Sequence, residues 1–81
     1  MQVEKLLEKA LKSPQNLRFA EALKLAQAFG FQIARVRGSH HIFRRENVAE
    51  IINIQPRGAN AKPYQVKQIR NLILGYKLAG E

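Results

Sequence analysis

The spacing of apolar side chains along this 81-residue chain changes several times, and each change marks an element. Val3, Leu6, Leu7, Ala10 and Leu11 recur at i, i+3, i+4, i+7 and i+8, the stripe of an amphipathic helix over about residues 2–12. Ser13-Pro14-Gln15-Asn16 breaks that helix and can cap the next. A second helix is predicted from about Leu17 to Phe29, with Phe19, Leu23, Ala26 and Phe29 among its apolar positions. Gly30 then stands where a helix end takes a left-handed residue. Three strands follow: FQIARVR at 31–37, whose alternation is imperfect, HHIFRR at 40–45, and EIINI at 50–54. Gly38-Ser39 makes the first turn. Residues 55–63 are predicted to be a loop, with Pro56 and Gly58 excluding regular structure. Pro63 opens a last helix in which Val66, Ile69, Ile73 and Tyr76 keep helical spacing and are assigned to the core.

The order is α-α-β-β-β-α in a single domain over residues 1–81. Three short antiparallel strands covered by helices on one face make a two-layer α+β fold. Without its first helix, the order is that of the double-stranded-RNA-binding fold. No apolar run is long enough to cross a bilayer, and the charged amphipathic start lacks the apolar centre of a secretory signal. With no cysteine, the chain is read as a soluble cytoplasmic domain without disulfides.

Charge narrows the function. Lysine and arginine total 14 against 6 acids, a net of +8. Most of the excess lies between Arg35 and Lys77, in Arg35, Arg37, Arg44, Arg45, Arg57, Lys62, Lys67, Arg70 and Lys77, against Glu46 and Glu50. Such a field attracts polyanions, nucleic acid first among them; an acidic protein partner is a third reading.

Both histidines, His40 and His41, stand together after Gly38-Ser39. Alternation puts His40, Ile42 and Arg44 on one face of their strand and His41, Phe43 and Arg45 on the other. Phe43 buries the larger apolar area, so it turns inward and His40 outward, with His41 at the core edge. The turn's backbone N–H groups can face an anion, and Arg35, Arg37, Arg44 and Arg45 flank it. This setting holds a phosphate beside an imidazole, which can take and give a proton near neutral pH.

Other chemistries fit poorly. The chain has no aspartate, and its glutamates (Glu4, Glu8, Glu21, Glu46, Glu50, Glu81) form no tight cluster for a pair of Mg²⁺ ions. Zinc-ligand and P-loop spacings are absent, so no metal or cofactor is expected. RNA carries its own nucleophile, the 2′-hydroxyl. Cleaving it needs a base, cationic stabilisation of the phosphate and an acid for the leaving 5′-oxygen. His40 among arginines supplies the first two, while the acid stays open between His41, Tyr64, Lys62 and water.

GFQIARVRGSHHIFRR at 30–45 resembles the signature of HicA-type toxins, small ribonucleases of toxin–antitoxin pairs. INIQP and AKPYQVKQIRNLI downstream are similar to a subgroup of that family, and the resemblance covers about residues 17–78. It implies a fold like the double-stranded-RNA-binding domain, metal-independent mRNA cleavage, His40 as the catalytic histidine with Gly38 as the turn glycine, and a HicB-like antitoxin that covers the histidine site. The chain departs from the common pattern in its extra N-terminal helix and in the basic, small-residue loop PRGANAKP, which has no further histidine.

RNA contacts are expected from Arg35, Arg37, Gly38, Ser39, Arg44, Arg45, Lys62, Lys67 and Arg70. Lys67, Arg70 and Lys77 serve equally well as a solvated helix surface. Tyr64 is the open tyrosine and could stack on a base. Asn53, among isoleucines, is read as a satisfied strand-edge amide. Two readings therefore stand: a ribonuclease toxin acting through His40, and a non-catalytic RNA-binding module of the same fold.

Overall fold

Helix α1, Val3–Lys12, buries Leu6 and Ala10 and turns its charged residues outward. The computed structural model describes residues 3–80; Met1, Gln2 and Glu81, and with them the first residue of the helix expected over 2–12, lie outside the described residues. A 3₁₀ turn, Pro14–Asn16, follows with Pro14 buried. Helix α2 is Phe19–Ala28, two residues shorter at its start than the apolar pattern predicts. Its first turn is capped from within. The Glu21 carboxylate accepts the Arg18 N–H at 3.0 Å and pairs with Lys9 Nζ at 3.0 Å. The Arg18 N–H, with help from Lys9, holds that carboxyl below the usual range despite partial burial. Ser13-Pro14-Gln15-Asn16 is therefore not the cap of α2, and Leu17 is a buried residue of the connection.

Gly30, at φ +90°, ends α2 in a Schellman motif: Gly30 N–H donates to Gln27 and Phe31 N–H to Ala26. Any side chain there is strained by the left-handed backbone, and its Cβ would also stand 2.8 Å from Arg45 Nε.

Strands β1 (Gln32–Arg37), β2 (His40–Arg44) and β3 (Ile52–Ile54) form one antiparallel sheet with β2 in the centre. The imperfect alternation of β1 is a bulge at Ala34: Ile33 pairs with Phe43, and the next pair is Arg35 with Ile42. The extra residue puts Ile33 and Val36, three apart, on the same face. The helices cover that face over β2 and β3, where Phe43, Ile52 and Ile54 are fully buried against Leu25, Ala26, Ile69 and Ile73. Strand β1 extends past this cover, leaving Ile33 and Val36 about half exposed.

The stretch expected as a loop instead contains a hairpin, β4 (Pro56–Arg57) with β5 (Asn60–Ala61). Gly58, at φ +64°, permits the two-residue turn. Pro56 is tolerated because the ladder is only two pairs long and lies at an edge. The hairpin also docks: Ala61 N–H donates to Leu17 O, and Phe19 N–H to Ala59 O. It thereby sets where α2 begins.

Helix α3, Pro63–Gly75, buries Val66, Ile69, Leu72 and Ile73. Its end repeats the Schellman pattern, Lys77 N–H to Leu74 and Leu78 N–H to Ile73, with Lys77 in the left-handed position at φ +56°. Tyr76 is not a core residue as its spacing suggests; it caps the helix and is 40% exposed. Its hydroxyl donates to Glu50 Oε1 at 2.7 Å, which pushes the phenol's pKa up. The expected order α-α-β-β-β-α thus holds, with a small hairpin inserted before the last helix. Among the described residues no helix is long and apolar enough to cross a membrane.

Candidate active site

Gly38 and Ser39 join β1 to β2 with Arg37 and His40 as the closing pair. Gly38 takes φ +60° at the first turn position, the geometry that matches the twist of the two strands. Nothing lies within 4 Å of where its Cβ would be, so the turn is open to a ligand.

Directly opposed residues of an antiparallel pair share a face. Register therefore places His40 beside Arg37, Ile42 between Arg35 and Asn53, and Arg44 beside Gln32, all on the face away from the helices. Phe43 is fully buried and His40 exposed, as its larger apolar neighbour requires.

His41 faces the other way. Its ring packs edge-on to Phe19 with centroids 5.1 Å apart. Its Nδ1 lies 3.2 Å from the Ser39 carbonyl, and a carbonyl only accepts, so this nitrogen carries the proton. His41 ties the turn to α2.

The His40 ring sits between two amides. Asn53 Nδ2 is 3.1 Å from Nδ1, and Gln55 Nε2 is 3.2 Å from Nε2. Gln55 Oε1 in turn accepts from Gln65 Nε2 at 2.9 Å and from Lys62 Nζ at 3.4 Å. Gln65, only 1% exposed, also accepts the Gln55 backbone N–H at 2.7 Å and donates to the Tyr64 hydroxyl at 3.3 Å. Asn53 of β3 and Gln55 just after it thus hold one imidazole, and Gln65 and Tyr64 at the start of α3 extend the network behind them, with Lys62 at its edge.

Of the residues singled out from sequence, His40, Arg35, Arg37, Gly38, Ser39 and Arg44 share the open face or its turn. Lys62 and Tyr64 join the cluster through Gln55 and Gln65. Arg45 does not. Its Nε donates to the Phe29 carbonyl at 2.7 Å and its Nη1 to Glu46 O, so it closes the end of α2. Lys67 and Arg70 lie one and two turns along α3, and Arg70 bonds its neighbour Asn71. Arg44 and Arg45 border a groove of about 340 Å³ with Gly30, Gln32, Glu46 and Asn47, at the far end of β2 from His40. This groove is lined by two arginines and Glu46 and contains no imidazole; both imidazoles lie at the turn end of β2.

Asn53, Gln55 and Gln65 were not legible as site residues. Asn53 is also not the satisfied amide expected: its Oδ1 is buried with no hydrogen-bond partner. A signal for Gln65 existed. It holds a core-facing place in the stripe shared by Ile69, Leu72 and Ile73, where a polar residue needs a partner. Among the described residues no three of His, Cys, Asp and Glu come together as metal ligands.

A family model described as the HicA toxin of bacterial toxin–antitoxin systems matches residues 19–80. No curated protein and no solved structure matches the chain significantly.

Proposed function

The chain belongs to the HicA toxin family, the toxins of toxin–antitoxin systems, and on that premise we propose that it cleaves mRNA without metal, using His40 as the acid–base group. The observation that carries this reading is the exposed imidazole of His40 beside Arg37, oriented by amides at both of its ring nitrogens. Orientation of that kind is what a general base requires before its pKa matters.

The chemistry follows from the substrate. The imidazole lone pair takes the proton of a ribose 2′-hydroxyl. The 2′-oxygen attacks the adjacent phosphorus, and the bond from phosphorus to the 5′-oxygen breaks as that oxygen gains a proton. The products are a 2′,3′-cyclic phosphate and a free 5′-hydroxyl. Arg37 and Arg35, on the same sheet face, offset the charge that builds on the phosphoryl oxygens. Tyr64 and Lys62 border the cluster and are the proton donors best placed for the leaving oxygen. His41 faces the helices and acts on the turn. The RNA strand runs along the open face from the Gly38-Ser39 turn toward Arg44, with Lys67 and Arg70 as outlying contacts.

A toxin of this family has an antitoxin partner. We assign that partner as HicB-like, and the open face around His40 as the surface it covers.

Purified protein on a defined mRNA in EDTA tests the reading. Wild type is expected to give 2′,3′-cyclic phosphate ends, and His40→Ala to give none while still binding RNA. Cleavage that vanishes in chelator and returns with Mg²⁺ overturns the metal-free mechanism. Wild type that binds but never cleaves marks the chain as an RNA-binding module.

A further inference from the structure

We infer that Gln65, buried under the site and remote from substrate, is a positioning residue that fixes which nitrogen of His40 carries the proton. This deepens the acid–base reading of His40 and rests on it.

One group in this chain of contacts has an unconditional role. A backbone N–H can only donate. The Gln55 N–H points at one end of the Gln65 amide at 2.7 Å, so that end is Oε1. The other end, Nε2, then faces the Gln55 side chain at 2.9 Å, and a donor there requires Gln55 Oε1. Lys62 Nζ, also a donor, approaches the same oxygen. Gln55 therefore has only its Nε2 to present to His40 Nε2 at 3.2 Å. A ring nitrogen facing an N–H donor must hold its lone pair, so the proton of the neutral ring sits on Nδ1.

Asn53 completes the chain. Unlike Gln65, it has no backbone N–H to pin its amide. With Nδ2 toward His40 it sets donor against donor and leaves Oδ1 buried without a partner. A half-turn of the amide, which barely changes its shape, puts Oδ1 against the Nδ1 proton. The turn gives up the long 3.5 Å contact to Gln55 Oε1 and moves the partnerless buried position from Oδ1 to Nδ2, in exchange for removing the donor–donor clash at His40. Burial makes Gln65 effective in this role, since no water competes for its amide. The lone pair thus stays on Nε2, where only the half-buried Gln55 amide must yield to the ribose hydroxyl.

The ring's ¹⁵N shifts and two-bond couplings in NMR, at a pH where the ring is neutral, report the tautomer directly and do not depend on cleavage. Wild-type His40 is expected to be the Nδ1–H form. Gln65→Glu still accepts the Gln55 N–H but cannot donate. The Gln55 amide then reverses, and His40 becomes the Nε2–H form. Gln65→Met, matched in size and apolar, frees Gln55 and gives a mixture. In both variants kcat falls about tenfold or more while KM stays within about twofold, because orientation rather than binding is lost. Should both fail to fold, Gln55→Glu at the half-buried last link decides: its carboxylate forces the proton onto Nε2. Wild-type His40 in the Nε2–H form overturns the inference. So does a folded Gln65→Glu with its tautomer unchanged, or a Gln55→Glu that does not move the proton. Wild type that cleaves no RNA defeats the catalytic reading instead, and the spectra still decide the role of Gln65.

Discussion

His40 and His41 are neighbours in the chain and share almost nothing else. One stands on the open face, its ring between two side-chain amides beside an arginine. The other leans on Phe19 under the sheet and holds the turn through the Ser39 carbonyl. A single peptide step along a strand reverses the side chain's direction, so residue type says little about role until the face is known. The same division separates Arg37, which pairs with His40 on the open face, from Arg45, which closes the end of α2.

The sharpest break in this comparison comes from the histidines. His40→Ala is expected to lower cleavage by about 10²-fold or more with little change in Tm. His41→Ala is expected to retain most activity per folded molecule and to lose about 1 kcal/mol of stability, read by urea unfolding. Equal loss of activity in both, with both folded, ends the assignment of separate roles.

The arginines give a smaller contrast of the same form. Arg37→Ala weakens RNA binding and reduces the slope of log K against log salt by about 1. Arg45→Ala leaves that slope nearly unchanged and costs about 1 kcal/mol as the Phe29 carbonyl loses its charged donor. Fluorescence anisotropy across a salt series measures the first, and denaturant unfolding the second.

The scaffold's own pH response lies away from both histidines. The Arg18 N–H, aided by Lys9, lowers the folded-state pKa of Glu21. Its contribution is therefore fully present above the ordinary carboxylate pKa and is lost as pH falls through the depressed folded value. Glu21→Gln is expected to cost about 1 kcal/mol at neutral pH and progressively less in acid. Unfolding curves of the two proteins should converge as pH drops. A gap that widens in acid contradicts the sign.

The smallest effect is at the end of α3. Lys77 pays a steric penalty at φ +56° that glycine avoids, and glycine's greater unfolded freedom offsets part of the gain. Lys77→Gly should raise stability by about 0.5 kcal/mol and leave cleavage unaltered, which a Tm shift and an activity assay check together.

Much of this was legible because it depends on local spacing. The 3.6-residue stripes placed all three helices, Gly30 and Pro63 marked a helix end and a helix start, and Phe43 decided the direction of His40. Features set by pairing between distant segments were not legible. The bulge at Ala34, the hairpin in the proline-containing stretch and the capping role of Arg45 each depend on where another strand or helix comes to lie. Tyr76 had the right spacing for the core, but the helix ends where it stands.

By itself, then, the order of residues determined the elements, the basic charge and the exposed histidine, because propensity and periodicity act over a few residues. Only the tertiary structure decided what holds that histidine. Asn53, Gln55 and Gln65 reach it from other elements, and whether an amide meets an imidazole with its donor or its acceptor depends on strand register and on a helix docked beneath the sheet.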